Sequence, residues 1–291
     1  MITYKPLSEL PVKEASEIWN RSFEGYMVQA SMPLDRFIAR ASHLGLCMER
    51  SLACFVDGHP AGIVMNSFRE VDGKKLAWNG GTAVAPEYRG KGIGLSMMER
   101  NSELYEELGI QRAYLEAIST NAAAIKLYER VGYTVIDRLL IMSAEGTLAD
   151  NAQESSDAYT VTRGQAGELR AVPFYRSGDV WQNDLPCIQD GECVLVYAGK
   201  EMVGYALFKR AFDPSGKPAS ITLFRCEAAP GHADVKGVIA SALSEVYQPE
   251  LAVRRSAFNI RASQEALVQS LEQLGLATSM EQVLMVRHYG N

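Results

Sequence analysis

The chain has 291 residues, 47% of them hydrophobic and 22% charged, with a formal net charge of −6. That length suggests two domains, each able to bury its own core, and the composition is that of a soluble globular protein rather than a fibrous or disordered one. The acidic balance and the lack of a basic stripe argue against nucleic acid as a partner and suit a cationic acceptor such as a protonated amine.

No run of about 20 apolar residues is available to span a bilayer, and Met1 to Pro6 lacks a charged-then-apolar leader pattern. A cytoplasmic protein with no membrane association is therefore expected. The five cysteines, Cys47, Cys54, Cys187, Cys193 and Cys226, are scattered and odd in number, which fits reduced core thiols. No pair has zinc-ligand spacing and the four histidines do not cluster, so no metal is expected.

In chain order, Ile2 to Leu7 reads as a strand and Pro11 opens a helix with Ala15, Ile18, Trp19 and Ser22 on one side. A second helix is expected from Asp35 to Leu44. Strands Leu52 to Val56 and Gly62 to Phe68 flank a tight turn at Asp57, Gly58, His59 and Pro60, and Asp72-Gly73 marks the next turn. The strand Leu76 to Val84 contains Gly80 and Gly81, a sign of a bulge or of something lying close against the backbone. A helix from Gly92 to Leu108, a strand from Ala113 to Ile118 and a helix from Asn121 to Val131 follow, the last closed by Gly132 in a left-handed cap. The polar stretch 143 to 158 reads as a linker.

The second half repeats the first. Gly58 and Gly62 answer to Gly199 and Gly204, Ala85-Pro86 to Ala229-Pro230, and Gly132 to Gly275, with offsets between 141 and 144. Nearly constant spacing with the same order of elements argues for duplication of one fold. The expected boundaries are 1–143 for the first domain, 144–158 for the linker and 159–291 for the second domain.

The segment that carries chemistry is Val84-Ala85-Pro86-Glu87-Tyr88-Arg89-Gly90-Lys91-Gly92-Ile93-Gly94, between a strand and a helix. Alternating glycines let the backbone turn tightly and aim successive N–H groups inward at the positive end of the helix, which makes an anion cradle. Arg89 and Lys91 add charge, facing either a phosphate or solvent. A dinucleotide fingerprint should open the first strand-helix unit, and a nucleoside-triphosphate loop needs Gly-Lys followed by Ser or Thr. Neither condition holds here.

Arg89 to Gly94 after Val84 resembles the pyrophosphate loop of the GNAT superfamily of acyl-CoA-dependent N-acyltransferases. Asn121, Ala124, Leu127, Tyr128, Glu129, Gly132 and Tyr133 resemble that family's second signature, and the likeness covers about residues 2 to 142. It implies an α/β (α+β) fold, a mixed and mostly antiparallel twisted sheet flanked by helices, present here as tandem GNAT-like domains. It implies acetyl-CoA as co-substrate, held by Ala83, Val84, Arg89, Gly90, Lys91, Gly92, Ile93, Gly94, Leu95 and Asn121, with the strand from Ala113 splaying away to admit the pantetheine arm.

On the same resemblance, Tyr128 lies near the thioester sulfur and is the candidate general acid for the departing thiolate; the plainer reading is a core aromatic. Glu116 is the candidate base, unless strand alternation points it into solvent. Asn79 is a candidate for orienting the acceptor. Phe23 and Tyr26, with Met27 and Met32, either wall the acceptor pocket or simply pack a long loop.

The second domain's counterpart of the loop, Pro230 to Val238, lacks the alternating glycines, and its Asp234 would repel phosphate. Tyr128 maps to Leu271 and Glu116 to Asn259. A degenerate domain is expected, walling the acceptor site or packing on the first domain, including in a homodimer. The function expected is acetyl transfer to a primary amine of a small molecule. The alternatives are a protein lysine or N-terminal acetyltransferase and a noncatalytic acyl-CoA sensor.

Overall fold

The computed structural model describes residues 1–148, 158–178 and 180–290. The chain forms two compact units, Met1–Ile136 with Leu284–Asn291, and Asp137–Val283. Their division falls at residue 136 rather than 143, and the last residues of the chain join the first unit. Most of the stretch read as a linker lies outside the described residues, and its first residue, Ala144, ends a strand. Among the described residues no helix is long and apolar enough to cross a membrane.

The first unit begins with β1 (Ile2–Pro6), α1 (Val12–Ser22) and α2 (Leu34–Leu44), then β2 (Leu52–Val56), β3 (His59–Val71) and β4 (Lys74–Val84). It continues with α3 (Ile93–Glu107), β5 (Arg112–Ile118), α4 (Ala122–Arg130) and the start of β6 (Thr134–Ala144). β1 to β4 pair antiparallel in sequence order, and β4 pairs parallel with β5. The far side of β5 is covered by the end of the chain's last strand.

The hairpins are tighter than the sequence suggests. Asp57 and Gly58 alone make the first turn, both at positive φ (49° and 82°), which matches the twist of the flanking strands. His59 and Pro60 already belong to β3, opposite Val56 and Phe55. The Asp72-Gly73 turn is of the same kind, so β3 and β4 run right up to it.

The second unit takes the rest of β6, then β7 (Thr160–Gln165), β8 (Glu192–Ala198), β9 (Glu201–Phe212), β10 (Pro218–Ala228), α5 (Val235–Tyr247), β11 (Arg254–Arg261), α6 (Glu265–Gln273) and most of β12 (Ala277–His288). Its element order from β8 onward repeats that from β2 onward. Short 3-10 turns, among them Ala166–Ala171 and Trp181–Asn183, stand where the first unit has α1 and α2.

The duplicated residues do the same physical work. A Cβ on Gly62 would lie 2.5 Å from the Met97 sulfur of α3, and one on Gly204 would lie 2.3 Å from Val238 of α5, so both glycines let a helix cross the sheet closely. Ala85 N–H bonds Ala61 C=O at 2.8 Å, and Ala229 N–H bonds Val203 C=O at 2.7 Å. The fold is a tandem of two like units, each with a mixed, mostly antiparallel sheet.

Candidate active site

Pairing between β4 and β5 runs from Leu76↔Arg112 to Asn79↔Leu115 and stops there. The break coincides with Gly80, the extra residue of a bulge in β4: Asn79 pairs with Asn66 and Gly81 with Met65. Beyond the bulge β4 stays paired with β3 up to Val84, so β4 and β5 part like a V. The body lying against this strand is aromatic, since a Cβ on Gly81 would come within 2.7 Å of the Trp19 ring.

The glycine loop sits at the end of β4. Gly90 and Gly92 have φ of 71° and 81°, and a Cβ on either would meet nothing within 4 Å, so the space above the loop is open. The first α3 bond runs from Ser96 N–H to Gly92 C=O, which leaves the N–H groups of Ile93, Gly94 and Leu95 without a helical acceptor. They form the positive end of a four-turn helix facing open space, the cradle that the loop's pattern implies. Gly94 brings α3 close to α4: its Cβ would touch Leu127 at 3.3 Å.

A cavity of about 280 Å³ joins this loop to the splay. Ala83, Val84, Arg89, Gly90 and Gly94 line it on one side, Ala123, Ala124, Leu127 and Tyr128 of α4 on another, with Ser22, Tyr26, Thr82 and Tyr88 closing it. Tyr128 is buried, and burial first, with the Tyr26 hydroxyl adding to it, holds its phenol above the usual range. It is therefore protonated at neutral pH and able to donate. Asn121 caps α4 by accepting from Ala124 N–H at 3.2 Å, and its amide reaches the Tyr26 hydroxyl at 3.4 Å.

Several side chains have work other than the expected one. Arg89 donates to the carbonyls of Val84 (2.8 Å), Ser22 (3.1 Å) and Glu24 (2.6 Å), stapling the loop to the end of α1. Lys91 rests over the Tyr88 ring, 5.9 Å from its centroid. The Ile93 side chain is in the core with Leu52, Val64 and Met97, so only its backbone is available. Lys91, Gly92, Ile93, Leu95 and Asn121 are outside the cavity lining.

Asn79 is turned toward α3 and is spent on the bulge, accepting from Gly81 N–H at 3.1 Å and donating to Thr82 Oγ1 at 2.7 Å. Phe23 packs on Trp19 with ring centroids 4.2 Å apart and supports Tyr26 edge-on at 5.2 Å, without lining the cavity itself. The long loop after α1 is fixed by side chains of that helix: the Asn20 amide bonds both Met32 N–H and C=O at 2.8 Å, and Trp19 Nε1 donates to Ala30 C=O at 2.8 Å.

Glu116 points inward. It shares the face of Tyr114, which is paired with Trp78, and Trp78 Nε1 donates to its Oε2 at 2.7 Å. Its Oε1 is buried without a partner. Burial raises its carboxyl to about 7, against the opposing pull of the Trp78 bond and the Arg40 charge. Arg40 and Trp78 are missed by sequence reasoning, although Arg40 interrupts the inner stripe of α2 formed by the buried Phe37, Ala41 and Leu44. A charge within an apolar stripe was the available signal.

The second unit carries no such cradle. Asp234 caps α5 with its own carboxylate, 2.9 Å from Gly237 N–H, and also accepts from Tyr159, so an anion already occupies the helix N-terminus. Leu271, at the Tyr128 position, is core, and Asn259, at the Glu116 position, is buried with φ 52°.

A mixed sheet splayed at a bulge, with a glycine loop feeding a helix at the mouth of the splay, defines an acyl-CoA-type transferase fold. Residues 8–133, which make up most of the first unit, match the acetyltransferase (GNAT) family. Among curated relatives, it is 39% identical over 51 residues to the [ribosomal protein bS18]-alanine N-acetyltransferase of Escherichia coli K12, covering 18% of this chain and 34% of that protein. It is 42% identical over 50 residues to the streptothricin acetyltransferase of Streptomyces lavendulae, covering 17% of this chain and 26% of that one. The matches thus span about a third or less of these relatives' length. A tandem GNAT protein from the clavulanic acid biosynthesis pathway is alike in fold over 100% of this chain and 99% of its own, at a TM-score of 0.58 and 12% identity.

Proposed function

We propose that the first unit transfers an acetyl group from acetyl-CoA to a primary amine of a small molecule by direct attack of the amine. The observation that carries this reading is the single cavity in which the glycine loop, the edge of β4 and the buried Tyr128 meet. Acetyl-CoA supplies the activated thioester; its diphosphate fits the open N–H cradle of Gly92 to Leu95, and the splay has room for an extended arm.

The remaining steps belong to this chain's residues. An alkylammonium with a pKa of about 10.4 must lose a proton before it can attack, and in this reading Glu116, whose carboxyl burial raises to about 7 and which lies outside the cavity lining, is the base that takes it. The new C–N bond forms as the C–S bond breaks, and Tyr128 gives its proton to the leaving sulfur. The second unit, whose helix N-terminus is filled by Asp234, is noncatalytic in this reading. One relative's name concerns an alanine of a ribosomal protein and another's streptothricin, which makes a peptide amine the second reading for the acceptor.

The test is thiol release from acetyl-CoA across small amines and peptides, with calorimetric binding of CoA alongside. Turnover on an amine class supports the reading, tight binding without turnover on any acceptor leaves a sensor, and no binding overturns it. Gly92→Val should abolish the cradle: a β-branched residue at φ 81° is strained by roughly 1–2 kcal/mol or more, and relief moves the loop's N–H groups. Acetyl-CoA affinity is expected to fall at least about tenfold, since 1.4 kcal/mol is tenfold, with the fold retained by circular dichroism.

A further inference from the structure

The second unit has a fork of its own. β10 and β11 pair in parallel from Ser220↔Arg254 to Leu223↔Ala257 and no further. Both strands bulge just past that point, β10 at Phe224 and β11 between Ala257 and Ile260. Asn183, from the turn Trp181–Asn183, fills the angle. Its buried amide donates to Phe224 C=O and Phe258 C=O, both at 2.7 Å, and to Asn259 C=O at 3.2 Å. A side chain thus holds the strands apart where backbone bonds would have closed them.

A cavity of about 290 Å³ opens at this fork, much the size of the one in the first unit, but its wall is charged. Arg225 is held between two acids. Its Nη1 donates to Asp184 Oδ1 at 2.9 Å, while Nε and Nη2 both donate to Glu227 Oε1, at 3.1 and 2.8 Å. Asp184 is buried, and its other oxygen accepts from Gly178 N–H at 2.9 Å. Two carboxylates against one guanidinium leave this wall with an excess of negative charge, and Glu227 Oε2 is the acceptor that Arg225 does not use. Arg261, also in the lining, is balanced by Asp137 at 2.8 Å. Arg176, at the exposed side, has no carboxylate partner among the described residues; its Nη1 donates to Pro173 C=O and Tyr175 C=O, both at 2.9 Å.

A unit that served only for packing would gain by filling such a fork with apolar side chains, since well-packed hydrophobic residues commonly equal or exceed a buried ion pair in stability. Water can occupy a polar cavity of this size but brings no charge to set against the excess. The Phe224 ring, in the same lining, adds a face that attracts cations. A compact ammonium therefore answers the inner wall, and a carboxylate answers Arg176, whose planar fork suits it. We propose that this cavity is a noncatalytic binding site for a free amino acid, its ammonium on Glu227 beside Phe224 and its carboxylate on Arg176. An amine without the acid group satisfies only the inner end.

The site does not depend on acetyl transfer, so binding to the full chain decides it. Calorimetric titration runs through the common amino acids, each beside the amine that lacks its carboxylate. At least one amino acid is expected to bind with a Kd of about 1 mM or lower, and its amine at least about tenfold more weakly. Glu227→Gln should weaken that amino acid by about 10- to 100-fold, the worth of a hydrogen bond to a charged group, and Arg176→Met by about tenfold. Arg176 is exposed, so its loss leaves the packing of the fork intact, and circular dichroism checks both variants. Acetyl-CoA affinity should stay within about twofold in each, because neither residue touches the glycine loop's cavity.

No amino acid binding below about 10 mM would overturn the proposal, and so would an amine that binds as well as its amino acid. Binding that survives in both variants would place the ligand in the first unit and also overturn it. Failure of the wild-type chain to bind acetyl-CoA would fell the acetyltransferase reading and leave this site standing.

Discussion

Replacing Glu116 by Gln should cost activity and add stability in the same protein. At pH 8 the loss of the base is expected to lower kcat/KM by about 10²–10⁴, the usual worth of a positioned general base, and to remove the acidic limb near pH 7. The stability change has the opposite sign. An unfolded glutamate titrates at about 4.3 and burial raises the folded one to about 7, so the folded state holds the proton more tightly. Glu116 thus contributes stability fully present below the unfolded value and lost as pH rises through 7. Above that, the buried anion costs on the order of 4 kcal/mol, from 1.36 kcal/mol per unit, which the neutral amide relieves. Urea unfolding of both proteins at pH 4.0 and pH 8.0 checks it. A variant no more stable at pH 8 would mean that the carboxyl titrates normally, and wild-type turnover would end its role as base.

Tyr128→Phe is expected to lower kcat by about 10²–10³ while acetyl-CoA affinity changes by less than about threefold, because only the hydroxyl is removed. The ring keeps its packing against Tyr133, with centroids 6.2 Å apart, and its place in the cavity wall. Single-turnover acetyl transfer and calorimetric titration separate the two quantities. Equal loss in both would return Tyr128 to the rank of a packing residue. Burial keeps the phenol protonated, so wild-type activity should show no loss assignable to Tyr128 ionisation up to its ordinary value of about 10.

What could be seen beforehand was local. The Gly90 and Gly92 turns, the Asn121 cap and the places of the hairpin turns each depend on a few adjacent residues, and adjacent residues announce themselves. Arg89 misleads for the opposite reason. A cation in a phosphate loop resembles a phosphate ligand until the carbonyls of Ser22 and Glu24, more than 60 positions away, are found to hold it. Asn79 beside Gly80 resembles a substrate ligand until the bulge claims its amide. Arg40 could be noticed as a charge within the apolar stripe of α2, but its partner, the Gly80 carbonyl, lies on another element. The repeat was legible in glycine spacing because the same helix crosses the same strand in each unit, and that contact tolerates no side chain.

The strand that ends the chain contributes most of its length to the second unit and its last residues to the first. Arg287 donates to Val131 C=O at 2.6 Å at the end of α4, and Tyr289 sets its ring edge-on to Tyr105 at 5.9 Å and its N–H on Gln111 C=O at 3.0 Å. The helix that carries Tyr128 is therefore braced by residues translated about 150 positions later. Until residue 289 has left the ribosome the far edge of β5 stays open and α4 lacks its brace, so a growing chain is liable to pair with its neighbours and the first unit closes only after the second has been made.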